Sequence, residues 1–160
     1  MSLHRFMLAA SVGALVAAGP PAQAQTPPDG GTKFQPFTSV WSGVYTRDEA
    51  DRGKRAAADL CGRCHGAGLD GTATAPVLVG PRFFERWHDL RLGDLIAYIQ
   101  SAMPREHAFF VPAQTARDVS AFMLRESGVP AGKTPIPTDV QALSEILITR
   151  PPAAQDPPAR

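Results

Sequence analysis

Five residues constrain this chain more than any other feature: Cys61-Gly62-Arg63-Cys64-His65. The chain has 160 residues and 2 cysteines, so whatever chemistry the pair performs, it performs as a pair. Residues three apart share one face of a helical turn, which lets both thiols reach the two vinyl groups of one porphyrin. A histidine directly after the second cysteine completes the pattern of covalent c-type haem attachment, with the imidazole as proximal ligand to the iron. Other uses of the pair fit less well. A thioredoxin-like C-x-x-C belongs in a βαβ context, and this chain reads as helical throughout. A structural zinc site needs about four ligands, and no second Cys/His pair stands at suitable spacing. Two cysteines are also too few for a disulfide scaffold.

The ends of the chain supply a setting for that turn. Residues 1–24 read as a secretory signal. His4 and Arg5 form a weak n-region, Phe6 to Ala18 is an apolar small-residue run, and Ala22-Gln23-Ala24 is an A-x-A cleavage site. The run is short for a permanent bilayer span, so the expected product is a periplasmic protein without a membrane anchor; an uncleaved N-terminal anchor is the alternative. Lys+Arg number 16 and Asp+Glu 15, and removing the leader takes away only Arg5. A neutral balance offers no electrostatic footprint for nucleic acid. Residues 25–40 are Pro/Gly/Thr-rich and read as a flexible arm, 41–130 as the folded domain, 131–149 as a C-terminal extension, and 150–160 as a disordered proline-rich tail. Val40, Trp41 and Val44 form an apolar cluster expected to dock, with Trp41 as a packing residue.

The fold class expected is all-α, with three main helices plus short turns packed around one covalent haem. Thr46-Arg47-Asp48-Glu49 is a capping box, and the spacing of Ala50, Gly53, Ala57 and Leu60 predicts a helix over 47–61. Gly53 in its middle costs roughly 1 kcal/mol against alanine, so close approach of a second helix is its expected reason. Phe83, Phe84 and Trp87 suggest a helical turn. Leu92, Leu95, Ile96 and Ile99 predict a second helix that stops before Met103-Pro104, because proline moves its predecessor out of the α region. Ala116, Val119, Phe122 and Met123 predict a third over 113–127, ended by Gly128. Val140, Leu143, Ile146 and Leu147 pattern a short amphipathic helix within 139–148. No segment predicts a strand.

Iron held by His65 has a sixth position to fill or leave open. Met103, Met123, His88 and His107 are the residues outside the leader that offer a donor. Met103 is the best placed, because Pro104 fixes an extended backbone from which a thioether projects from a loop. Met123 sits at core spacing, where methionine is an ordinary filler. His107 and an open site are the alternatives. A neutral thioether opposite imidazole favours Fe(II) and raises the potential.

From Tyr45 to Gly128 these features resemble the class I cytochromes c: a helix with a small residue, Cys-x-x-Cys-His-Gly, Ala75-Pro76-x-Leu78-x-Gly80, a helix leading to Met103-Pro104, and a final helix with an aromatic. The resemblance implies that Gly53 crosses against Phe122. It also implies that the Pro76 carbonyl accepts the ring N–H of His65, that Leu78 packs on the haem, and that Trp87 lies near a propionate. The flanks, Val40-Trp41-Ser42-Gly43-Val44-Tyr45-Thr46 and Pro130-Ala131-Gly132 with Pro137, are similar to bacterial cytochromes associated with quinoprotein dehydrogenases. Where those relatives often carry Pro-Gly after Met-Pro, this chain has Arg105-Glu106-His107-Ala108-Phe109-Phe110.

The expected function is therefore single-electron transfer by a monomeric, periplasmic carrier, not an enzyme, between redox protein partners: a dehydrogenase, quinoprotein or other, and a terminal acceptor. Phe109, Phe110 and Val111 are candidates for an apolar docking edge, with internal packing as their alternative. Two other functions stay open on sequence grounds: a haem enzyme or gas sensor with an open sixth site, and a cytochrome subunit of a larger oxidoreductase.

Overall fold

Helix α1, Arg47–Leu60, begins where the capping box places it. Thr46 is extended, its hydroxyl accepts from the Glu49 amide at 3.3 Å, and Glu49 Oε2 accepts from the Thr46 amide at 2.8 Å. The structure is a computed structural model that describes residues 37–107 and 111–152, the side chain of His107 excepted. The expected signal peptide, most of the arm, Phe109, Phe110 and most of the C-terminal tail therefore lie outside the described residues.

A second helix, α5, Ala113–Glu126, packs across α1. The crossing is made possible by Gly53: a Cβ there would overlap the carbonyl oxygen of Asp118 and stand 3.0 Å from Phe122 Cβ. Glycine thus faces the aromatic as expected, and the tightest approach is to the Asp118 backbone. The Asp118 side chain locks the same crossing. Its buried carboxylate receives Arg52 Nε at 3.0 Å, Arg52 Nη2 at 2.8 Å and Gln114 Nε2 at 2.9 Å. The bond to Asp118 pushes the Arg52 pKa above its already high ordinary value.

Between these helices lie a single turn, α2, Gly62–His65, then α3, Pro81–Trp87, and α4, Leu92–Ala102. Helix α4 buries Leu92, Leu95, Ile96 and Ile99, the stripe read from the sequence. Phe84 of α3 stacks on Trp41 with centroids 5.7 Å apart and meets Phe83 edge-on at 5.2 Å, so Trp41 is a packing residue. Among the described residues no helix is long and apolar enough to cross a membrane.

The two ends differ from expectation. The helix patterned within 139–148 stops early: α6 is Val140–Ser144, capped by the Asp139 carboxylate on the Ala142 amide at 2.9 Å. Ile146–Leu147 instead form a strand, β2, parallel to β1, Thr38–Ser39. A two-residue pairing was beyond the periodicity, because its partner lies some hundred residues away and short apolar runs do not distinguish helix from strand. Residues 37–40 of the expected arm are thus hydrogen-bonded structure, and Val40 is fully buried. The expected boundary at residue 40 falls directly after this ladder. The extension is sewn down along its length, with Ile136, Leu143, Ile146 and Ile148 in the core.

Tyr45 and Glu49 are among the residues that hold the chain after α5 in place. Tyr45 donates its phenol to the Val129 carbonyl at 2.7 Å, and burial raises its pKa, keeping it a donor. The Gly132 amide bonds the Tyr45 carbonyl at 2.7 Å. Glu49, only 2% exposed, accepts from the Ile136 amide at 3.0 Å besides capping α1. One carboxylate therefore holds a helix start and the extension together. We expect Glu49→Ala to destabilise the protein by about 2–3 kcal/mol through unsatisfied buried amides and a lost cap, read from the urea midpoint. Amide exchange at Ile136 should accelerate with it; wild-type protection there would show that the second bond is dispensable.

Candidate haem attachment site

The attachment turn follows α1 with a single irregular residue between them. Cys61 ends the helix, its amide on the Ala57 carbonyl at 2.9 Å, and its own carbonyl accepts from Cys64 at 3.1 Å and His65 at 2.9 Å. Those bonds wind residues 61–65 into a tight turn, which sets the two cysteines on one side as the spacing requires. Both thiols are free and half-buried. Burial pushes the Cys61 thiol up, and Cys64 adds in the same direction. A thiol held in its protonated form is unlike the low-pKa nucleophile of a redox C-x-x-C.

His65 is oriented by the loop that follows. Its Nδ1 lies 2.7 Å from the Pro76 carbonyl oxygen. A carbonyl only accepts, so Nδ1 carries the proton and Nε2 keeps its lone pair for a metal. This is the arrangement by which a backbone carbonyl fixes the tautomer and raises the basicity of a ligating imidazole. The loop reaches Pro76 through a chain of backbone bonds: Gly71 to the His65 carbonyl at 2.8 Å and Leu78 to the Leu69 carbonyl at 2.8 Å. Gly71, at φ +87°, lies where a Cβ would come within 2.7 Å of the Val77 nitrogen. Leu69 is fully buried at φ +59°, a conformation unusual for leucine. Nothing in the spacing of 66–71 distinguished it from its loop neighbours.

The other predicted residues fall as follows. Leu78 is half-buried and packs against the core. Trp87 is buried, edge-on to Tyr98 at 5.5 Å, with the Arg86 guanidinium 4.9 Å above its ring. Met103 caps the end of α4 in extended backbone, φ −131° and ψ 146°, and is half-buried. The turn after it, Arg105–His107, comes back to the attachment turn: Glu106 Oε1 lies 3.8 Å from Arg63 Nη2. An exposed pair so long contributes little energy, but it places the methionine loop beside the C-x-x-C turn.

Two of the rivals to Met103 are differently engaged, and the side chain of the third, His107, lies outside the described residues. Met123 is 3% exposed inside α5. His88 donates Nδ1 to the Phe84 carbonyl at 2.7 Å and has Arg150 Nη2 on Nε2 at 2.9 Å. Val111, one candidate for an apolar edge, is buried, which selects internal packing for that residue.

The donor set fits a covalently attached porphyrin. Two thiols on one turn, an imidazole with a free nitrogen beside them, and a carbonyl that orients it are what haem c requires. Among the described residues no group of three or more His, Cys, Asp and Glu side chains converges to cage a bare metal ion.

A glycine-crossed helix pair, a C-x-x-C-H turn at the end of the first helix and a proline carbonyl on its histidine define a class I c-type cytochrome, all-α in its main elements. Residues 48–123, a little under half of the chain, match the family model of the cbb3-type cytochrome c oxidase subunit III, a likeness that points to electron transfer with covalently bound haem c. Among solved structures the chain is similar to the sulfane dehydrogenase SoxCD from Paracoccus pantotrophus, at 15% identity over 80% of this chain and 68% of that one, with a TM-score of 0.46. No curated protein matches the chain.

Proposed function

We propose that this chain is an exported, periplasmic carrier of single electrons, passing them from a dehydrogenase, a quinoprotein among the candidates, to a downstream acceptor. The observation that carries the reading is the His65 Nδ1–Pro76 bond beside two available thiols. Cys61 and Cys64 would hold one haem c by thioethers, His65 would ligate through Nε2, and Met103 would take the opposite side. When bound, the haem supplies reversible one-electron exchange. The protein's part is to keep that exchange simple. Pro76 holds the His65 ring in one tautomer and one orientation, so the imidazole would meet the iron in the same way in either oxidation state. Met103, a neutral thioether on an extended segment, would keep substrates from the iron and favour its reduced form. A leader like residues 1–24 supports export.

The distal assignment has a direct test. Met103→Ala should abolish the methionine-to-ferric charge-transfer band of the oxidised protein and let the reduced protein bind carbon monoxide at once. Its midpoint potential should fall. An unchanged band in that variant removes Met103 from the iron. Immediate carbon monoxide binding by the wild-type protein would favour a sensor or enzyme with an open site.

A further inference from the structure

Pro76 can hold His65 only if its own carbonyl is held, and proline has no N–H with which to tie itself back. The hydroxyl of Thr72 ties the residue immediately before Pro76, Ala75. Thr72 Oγ1 donates to the carbonyl of Cys64, the residue immediately before the ligand histidine. The same oxygen accepts from the Thr74 amide at 3.1 Å and the Ala75 amide at 3.3 Å. The Thr72 amide closes the turn on the Ala75 carbonyl at 2.9 Å. Thr74 Oγ1 stands 2.8 Å from Thr72 Oγ1 and 3.3 Å from the Cys64 carbonyl, a secondary strand of the same net.

One side-chain oxygen therefore joins the residue before His65 to the residue before Pro76. The Cys64 carbonyl is one of the acceptors that a helix end leaves without a partner, so the bond also completes the attachment turn. Elsewhere the loop is pinned independently, by Gly71 on the His65 carbonyl and Leu78 on the Leu69 carbonyl. Loss of the Thr72 hydroxyl should then loosen the span 72–76 without unfolding the loop.

We propose that Thr72 is a positioning residue, whose hydroxyl fixes the Pro76 carbonyl on His65 and through it tunes the iron's preference for oxidation states. The effect on the iron rests on the haem reading above; the effect on the imidazole N–H is a property of the loop. A strong bond from Nδ1–H makes imidazole a better donor and favours the ferric state, so weakening it favours the ferrous state.

The test uses the full-length holoprotein and two variants. Thr72→Val keeps the side-chain shape and removes the hydroxyl; Thr72→Ser keeps the hydroxyl. In Thr72→Val the His65 ring N–H should exchange with solvent about tenfold faster, and the constant for one-electron reduction should rise about threefold, a fraction of the effect of losing a direct partner. Thr72→Ser should return both towards wild type. A Thr72→Val protein unchanged in both readouts overturns the proposal, as does a serine variant as perturbed as the valine one. If Thr72→Val fails to mature with its cofactor, Thr72→Ala against Thr72→Ser makes the same comparison. A pyridine haemochrome spectrum of the wild-type protein judges the haem reading separately. Absence of two thioethers there removes the haem; two thioethers with an unresponsive Thr72→Val protein removes only the role of Thr72.

Discussion

Gly53→Ala should destabilise the holoprotein by about 2–3 kcal/mol, although alanine is the better helix former by about 1 kcal/mol. The sign is what makes the result informative. At an exposed helix position the substitution would stabilise, because alanine restricts the unfolded chain and fits helical backbone without strain. Here the added methyl would land on the Asp118 carbonyl oxygen, with Phe122 Cβ 3.0 Å away. Backbone does not swing aside as the end of a flexible side chain does, so the two helices must separate. Separation also lengthens the Arg52–Asp118 fork, now 2.8 and 3.0 Å, while Asp118 stays buried. A buried carboxylate that loses a partner keeps its desolvation cost, reduced here because the Arg52 side chain is 45% exposed. The measurement is the urea midpoint at unchanged slope. A midpoint equal to or above wild type would mean that α1 and α5 do not meet at residue 53.

What the sequence revealed of this fold was local chemistry and strong periodicity. Thr46 and Glu49 announced the start of α1, Pro104 the end of α4, and Gly128, at φ +84°, the stop after α5. Each is a short-range device whose physical cause lies within a few residues. What it hid was partnership over distance. Glu49 reads as a cap, yet half of its bonding is to Ile136. Ile146 and Leu147 look like the last turn of a helix until Thr38 and Ser39 are beside them. The site divides in the same way. Cys61, Cys64 and His65 are contiguous and therefore legible, and Pro76 was reached through family likeness. Thr72 gave no sign, because a threonine in a loop of glycines and threonines shows its role only when the Cys64 carbonyl is seen against it. The folded part also proved larger than the helices around the motif suggested, since Ile136, Leu143, Ile146 and Ile148 add buried surface well outside the stretch that resembles a cytochrome.

That added core sharpens what replacing both cysteines should do. Burial is uneven along the chain: from residue 58 to 82 the one buried side chain is Leu69. This span contains the attachment turn and the whole proline loop, and its internal bonds are mostly backbone contacts and exposed hydroxyls. So little apolar burial cannot offset the cost of ordering that many residues, at about 1–2 kcal/mol of backbone entropy each. The α1–α5 crossing and the sewn-down extension, by contrast, carry their own core. We therefore expect Cys61→Ala/Cys64→Ala protein to be isolated without covalent pigment and with amides 58–82 exchanging at least tenfold faster than wild type. Free haem added back should restore protection only in proportion to its concentration, as mass action requires of a ligand no longer tethered. The helices of the crossing should lose stability without losing their identity, since Gly53, Asp118 and Arg52 are untouched. Hydrogen exchange resolves the two regions in one experiment. Native-like protection across 58–82 in the double variant would show that the loop stands without its cofactor, and the Cys61–His65 turn would then need a reading in which the thiols themselves are the working groups.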